Sequence, residues 1–201
     1  MVRPAKALDQ VVRNRIAPPL KDLGFTRKGR RFTFERPDGA RAVATVRPFT
    51  LGRNDAEFHV DFFAQPRVWR DFMALEGRDP DWHLWSQRVL VPGAPGTMRD
   101  HWSFDLGDLE AGASLTEELA QLAHTAVSFL EPSALLTHVH SNPYLPGLGS
   151  RRAVVVATLL AATEGPSPEL DAMLLAFDQD PDWPDFNPAF TAFVRSRLAG
   201  R

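Results

Sequence analysis

Apolar residues recur at Leu8, Val11, Val12, Ile16, Leu20 and Leu23, the spacing that lays one stripe along a helix. Pro18 and Pro19 fall inside that stripe, where each lacks an amide donor and crowds the preceding turn, so a kink or break is predicted there. Gly24 is predicted to take the left-handed C-terminal cap, with Phe25 folding back on the last turn. The period then changes to two. Residues 31–36 alternate Phe32 and Phe34 with polar neighbours and run into the turn signal Pro37-Asp38-Gly39. Residues 42–49 carry Val43, Thr45 and Val46, and residues 57–64 set Phe58, Val60 and Phe62 on one face against His59, Asp61 and Phe63 on the other. Short connections between these runs predict an antiparallel meander.

Residues 69–75 predict a short helix, and 88–91 and 102–106 short strands separated by a loop. Ser114 with Glu117 reads as a capping box opening a helix. Its stripe is Leu115, Leu119, Leu122, Ala123, Ala126, Val127 and Leu130, and it ends before Pro132. Residues 141–150, rich in Pro, Gly and Asn, are the predicted subdomain boundary. Residues 153–163 are apolar almost all round, which predicts a buried helix stopped by Gly165 and Pro166. Ser167-Pro168 and Asn187-Pro188 each pair an N-cap with a first-turn proline and open two more helices. Asp-Pro-Asp-Trp, at 79–82 and again at 180–183, reads as a helix start of the same kind rather than a repeat. With strands early and helices late, the expected class is α+β: an antiparallel sheet of four to five strands flanked by helices in a domain spanning 1–140, then a helical extension over 150–201.

Composition narrows the classes of function. At 201 residues and 44% apolar, the chain is long enough for a sizeable core. It has no run near the roughly 18 apolar residues of a membrane span, and residues 1–9 lack a signal-type apolar core. The absence of cysteine excludes disulfides, thiolate zinc sites and cysteine nucleophiles. These features together predict a cytoplasmic protein. The net charge of −2 conceals a polarity: residues 1–70 hold 15 Lys/Arg against 7 Asp/Glu, and residues 71–201 hold 8 against 18. The basic front either answers the acidic back within the molecule or faces an anionic partner.

Residues 20–32, Leu-Lys-Asp-Leu-Gly-Phe-Thr-Arg-Lys-Gly-Arg-Arg-Phe, resemble the end of the first helix and the first strand in a bacterial family named domain of unknown function 4304, whose members resemble LK-x-LGF-x-(K/R)-K-G-x-x-F there. The strand around Phe58–Phe63, Arg88 and Asp100-His101-Trp102 follow in the family's order, so the resemblance spans about residues 1–130. Where the family places a polar Gln and Ser after its second strand, this chain has Val46-Arg47-Pro48-Phe49-Thr50, so no role of that pair is carried over. The resemblance implies an α+β fold and brings no catalytic residues.

Candidate chemistry is sparse. His138-Val139-His140 is an H-x-H pair which, on a strand, aims two imidazoles the same way, as metal hydrolases use; a loop or surface role is the competing reading. No G-x-S-x-G elbow is found. Residues 178–189 begin like a calcium loop but place Trp183 where the turn needs Gly and Ala189 where a Glu belongs. Gly147-Leu148-Gly149-Ser150-Arg151-Arg152 matches no phosphate fingerprint. Arg27, Lys28, Arg30 and Arg31, flanked by Phe25, Phe32 and Phe34, could grip single-stranded nucleic acid by charge and stacking, or an acidic protein by charge. Trp69, Trp82, Trp85 and Trp102 crowd one middle stretch, either as an aromatic core or as a groove beside Arg88.

The leading expectation is a non-enzymatic interaction or accessory protein, with an immunity-like role as one form of it, and without a cofactor. Its candidate partner surface combines Arg27, Lys28, Arg30, Arg31, Trp82, Trp85, Arg88 and Trp102, and its partner is an acidic protein. The alternatives are a metal-dependent hydrolase using His138 and His140, and nucleic-acid binding through residues 27–31.

Overall fold

The computed structural model describes residues 4–51, 56–75, 77, 83–90, 102–104, 109–142, 152–179 and 187–200. It is an α+β fold with one sheet and a helical C-terminal region. Among the described residues the order is α1 (Pro4–Val11), a π-helical turn (Val12–Ile16), α2 (Ala17–Asp22), β1 (Thr26–Lys28), β2 (Arg31–Glu35), β3 (Arg41–Leu51), β4 (Ala56–Gln65) and α3 (Arg67–Leu75). There follow β5 (Trp85–Arg88), β6 (Trp102–Phe104), α4 (Leu109–Ser128), α5 (Pro132–Ser141), α6 (Arg152–Thr163), α7 (Pro168–Gln179) and α8 (Asn187–Ala199). No helix among these residues is long and apolar enough to cross a membrane.

The chain divides into two compact units. One comprises residues 1–37, 41–64 and 86–127; the other comprises 38–40, 65–85 and 128–201. Both units draw on more than one stretch of the chain. The segment containing α3, and α5, belong with the C-terminal helices, because α3 and α5 both contact α6.

The first unit is built on the sheet, in the order β1-β2-β3-β4-β5, with β6 pairing β4 antiparallel through Phe58 and Trp102. Its entry helix does not break at the prolines. Pro18 and Pro19 have no amide to give the carbonyls of Asn14 and Arg15, and their rings crowd those groups. The preceding turn widens to a π-turn, with the Ala17 N–H reaching back to the Val12 carbonyl, and the helix resumes with the prolines in its first turn. The stripe survives this adjustment: Leu8, Val12, Ile16 and Leu20 are all fully buried.

At Gly24 the helix ends as its residues dictate. The Gly24 N–H bonds the Lys21 carbonyl and the Phe25 N–H bonds the Leu20 carbonyl, both at 2.9 Å, the paired bonds of a Schellman motif. Gly24 sits at φ +86°, and Phe25 meets Phe34 and Phe62 edge-on or tilted. A strand absent from the sequence reading follows, β1, which pairs with β2 through Arg27↔Phe32 and Lys28↔Arg31. That register makes Gly29-Arg30 a two-residue hairpin turn with glycine at positive φ (+63°) in its first position, as a type II′ turn requires. On β4 the inward set Phe58, Val60 and Phe62 is fully buried; each phenylalanine contributes about 1.5–3 kcal/mol.

Two helices begin elsewhere than expected. α4 starts at Leu109, so Ser114 is an internal residue and not a cap, though Leu115, Leu119, Leu122, Ala123 and Ala126 are buried as the stripe requires. α4 ends at Ser128, before Pro132 as expected, and Pro132 is also the first residue of a helix that was not expected, α5, where its missing N–H costs nothing. In the second unit Ser167 caps α7 through its Oγ, which accepts from the Leu170 N–H at 3.2 Å. The Asp-Pro-Asp-Trp segments at 79–82 and 180–183 lie outside the described residues.

Substituting Gly24→Ala forces a side chain into the left-handed region and brings its Cβ to 3.4 Å from the Phe34 ring. We expect a loss of about 1–2 kcal/mol in urea unfolding, with the helical signal otherwise kept.

Candidate functional site

The middle of β4 carries a carboxylate on the face opposite Phe58, Val60 and Phe62. Asp61 is only 7% exposed at its side chain, and a charge so placed persists only if paired. The neighbouring strands supply both partners. Arg47 of β3 donates through Nη2 at 2.5 Å and Nε at 3.1 Å to Oδ2, and Arg88, the last residue of β5, donates through Nε at 2.8 Å to Oδ1. One carboxylate thus holds two guanidiniums side by side across three strands. The three groups leave one net positive charge, with Arg47 57% and Arg88 34% exposed. Arg88 was expected to belong to a contact surface; Arg47 and Asp61 were not singled out as site residues. The signal was present in the sequence, since an aspartate flanked by Val60 and Phe62 in an otherwise apolar run demands a cation from an adjacent strand.

The basic segment is the tip of the β1–β2 hairpin. Thr26, Arg27 and Lys28 are all exposed. Arg27 bends back so that its Nε donates to the Gly29 carbonyl at 2.7 Å, and its guanidinium lies 5.8 Å over the Phe32 ring. Arg30 is tied at 2.9 Å to Asp9 of α1. Lys28 and Arg31 stand directly opposite each other.

The tryptophans do not share this surface. Trp85 and Trp102 are 3% and 2% exposed, and both are core. The Trp102 indole N–H donates to the Val89 carbonyl at 3.2 Å within the first unit. In the second unit Trp85 meets Phe129 edge-on, with ring centroids 5.1 Å apart. Trp69 packs on Phe72, itself against Phe190 and Phe193. Trp82 lies outside the described residues.

The histidine pair is also redistributed. His138 and His140 lie on a helix, α5, not a strand, so two positions are separated by roughly 200° around the axis and the imidazoles diverge. His138 stacks on Phe129 at 4.6 Å, and its Nε2 is buried with no hydrogen-bond partner among the described residues. Burial pulls its pKa below the usual 6.5. His140 is exposed. Among the described residues no three metal-ligating side chains are placed to share an ion.

Further arginines of the second unit are also held by aspartates. Asp71 accepts from Arg67 at one oxygen and from Arg197 at the other. Asp178 accepts from Arg195 at 2.6 Å and from the Thr191 hydroxyl at 2.9 Å. The Arg195 bond first, and the Thr191 bond second, hold its carboxyl below the usual range. Asp178, the first residue of the rejected calcium loop, lies in the last turn of α7 and ties it to α8.

Two measurements check these assignments. Removing one partner of a buried ion pair costs about 3–5 kcal/mol, and solvent access to both arginines lowers this to about 2–3 for Asp61→Asn; Arg47→Ala, at the exposed end, is expected to cost under about 1 kcal/mol. Equal losses in urea unfolding would contradict the clamp. For His138 the unfolded chain binds its proton more readily than the folded one, so its contribution to stability is present above about 6.5 and lost as pH falls through the lowered value. His138→Phe is expected to flatten that acid-side decline, measured as the difference in urea midpoint between pH 7.5 and 5.5. No protein-family model, curated protein or solved structure matches the chain, and what these groups can do follows from their own chemistry.

Proposed function

We propose that this chain is a non-enzymatic interaction protein that engages an acidic protein partner through the tip of its β1–β2 hairpin. The observation that carries this reading is the exposure of Arg27 and Lys28 at the tip of the hairpin. An anionic partner meets those two charges on binding, and is steered there by the basic excess of residues 1–70. Trp85 and Trp102 of the expected surface take no part, being buried, so the contact is electrostatic rather than aromatic. Nucleic acid is disfavoured because Phe25 and Phe32, 3% and 1% exposed, are not available as stacking platforms for bases. The hydrolase reading loses its geometric support with the divergence of His138 and His140. A cytoplasmic, bacterial, immunity-type accessory role, and kinship with the family resembled at residues 20–32, belong to the same proposal.

Arg27→Glu combined with Lys28→Glu leaves the buried residues untouched and reverses the tip. In pull-downs at about 50 mM salt from the source cell, an acidic protein retained by the native chain is expected to be lost by the double variant and eluted from the native chain at about 500 mM salt. A partner held equally by both chains would place the contact elsewhere, and a salt-sensitive gel shift with single-stranded DNA would favour the nucleic-acid reading.

A further inference from the structure

We infer that the second unit holds a small-molecule site, a cleft of about 460 Å³ that takes an organic carboxylate with an apolar body. This does not rest on the hairpin reading. The volume falls in the range of ligand pockets. Its apolar lining comes from Val68 of α3, from Leu130 and Pro132 at the start of α5, and from Ala161 and Ala162 in the last turn of α6. Arg67 and Arg197 both reach it.

The arginines give the cleft its chemistry. Asp71 holds Arg67 and Arg197 through opposite oxygens, so two guanidiniums share one carboxylate. Arg67 donates through Nη1 to the Asp38 carbonyl at 2.6 Å, and Arg197 lies 5.5 Å over the Phe193 ring. These contacts fix both side chains while using few of the five N–H donors that each guanidinium carries. A carboxylate is the ligand group whose geometry matches such paired planar donors. Two carboxylates also line the cleft. That of Asp38 is turned into its own turn, where it accepts from the Ala40 N–H at 2.9 Å. That of Glu131 is exposed and repels an anion, and this sign can be tested.

The probe is 3-phenylpropionate, titrated calorimetrically into the full chain beside its neutral counterpart 3-phenylpropanamide. The acid is expected to bind saturably and the amide at least tenfold more weakly. Arg197→Gln, which leaves the Arg67–Asp71 pair in place, should weaken the acid at least tenfold. Ala162→Leu, which fills the cleft without removing a charge, should do the same, so a folding defect in one variant leaves the other as the test. Glu131→Gln should tighten binding severalfold. The inference is overturned if acid and amide bind alike, if the acid binds both variants as it binds the native chain, if Glu131→Gln weakens it, or if no saturation is reached by about 20 mM, where a ligand of this size should bind.

Discussion

The buried carboxylate of Asp61 is the constraint on which the first unit turns. A central strand with apolar residues on one face could have been apolar on both, and β4 is not. Having placed an aspartate at the middle of the strand, the fold must bring a cation from each side, and β3 and β5 each supply an arginine. A slip of one residue in either neighbour would send that arginine to the opposite face and strand the charge. The ion pairs therefore act on register more than on net stability, since two charges brought out of water recover little beyond their desolvation cost. Trp102 serves the same edge of the sheet by a neutral route, donating its indole N–H to the Val89 carbonyl while the Val89 N–H bonds the Val60 carbonyl.

The same arrangement in the second unit shows why the arginine-rich composition is a poor guide to function by itself. Arg67 and Arg197 close on Asp71, and Arg195 closes on Asp178. An arginine paired with an aspartate is fixed in place by it, and the formal charge of its segment overstates what a partner feels. Counting along the chain cannot separate the two kinds, because the aspartate lies on another element: Asp61 is 14 residues from Arg47 and 27 from Arg88.

Local chemistry was legible where the determinants sit within a few residues. Gly24 and Phe25 form the helix stop their identities require, Ser167 caps α7, and the two-residue period of 57–64 became β4. The failures have equally specific causes. Pro18 and Pro19 were expected to kink or break the first helix, but a single π-turn relieves the clash at no cost to the buried stripe. Pro132 carries the same chemistry whether it ends one helix or begins the next, and reading it as an end removed α5 and left His138 and His140 without the helix that separates them. β1 has no apolar alternation of its own. Its three exposed residues are a strand only because β2 is beside them. Trp85 and Trp102 could be placed in a core or a groove by type alone, and tertiary packing decided for the core.

The hairpin tip differs from the Asp61, Asp71 and Asp178 clusters. Lys28 and Arg31 oppose each other across the ladder, and Arg27 is steadied by a backbone carbonyl and a ring, neither of which neutralises it. Edge strands are protected from unwanted pairing by just such charges, and one lysine accomplishes that. Protection alone does not explain why the opposite position is also cationic. The acidic partner proposed above would account for it, since it would meet both cations together, and the short β1 leaves little backbone edge to compete with it.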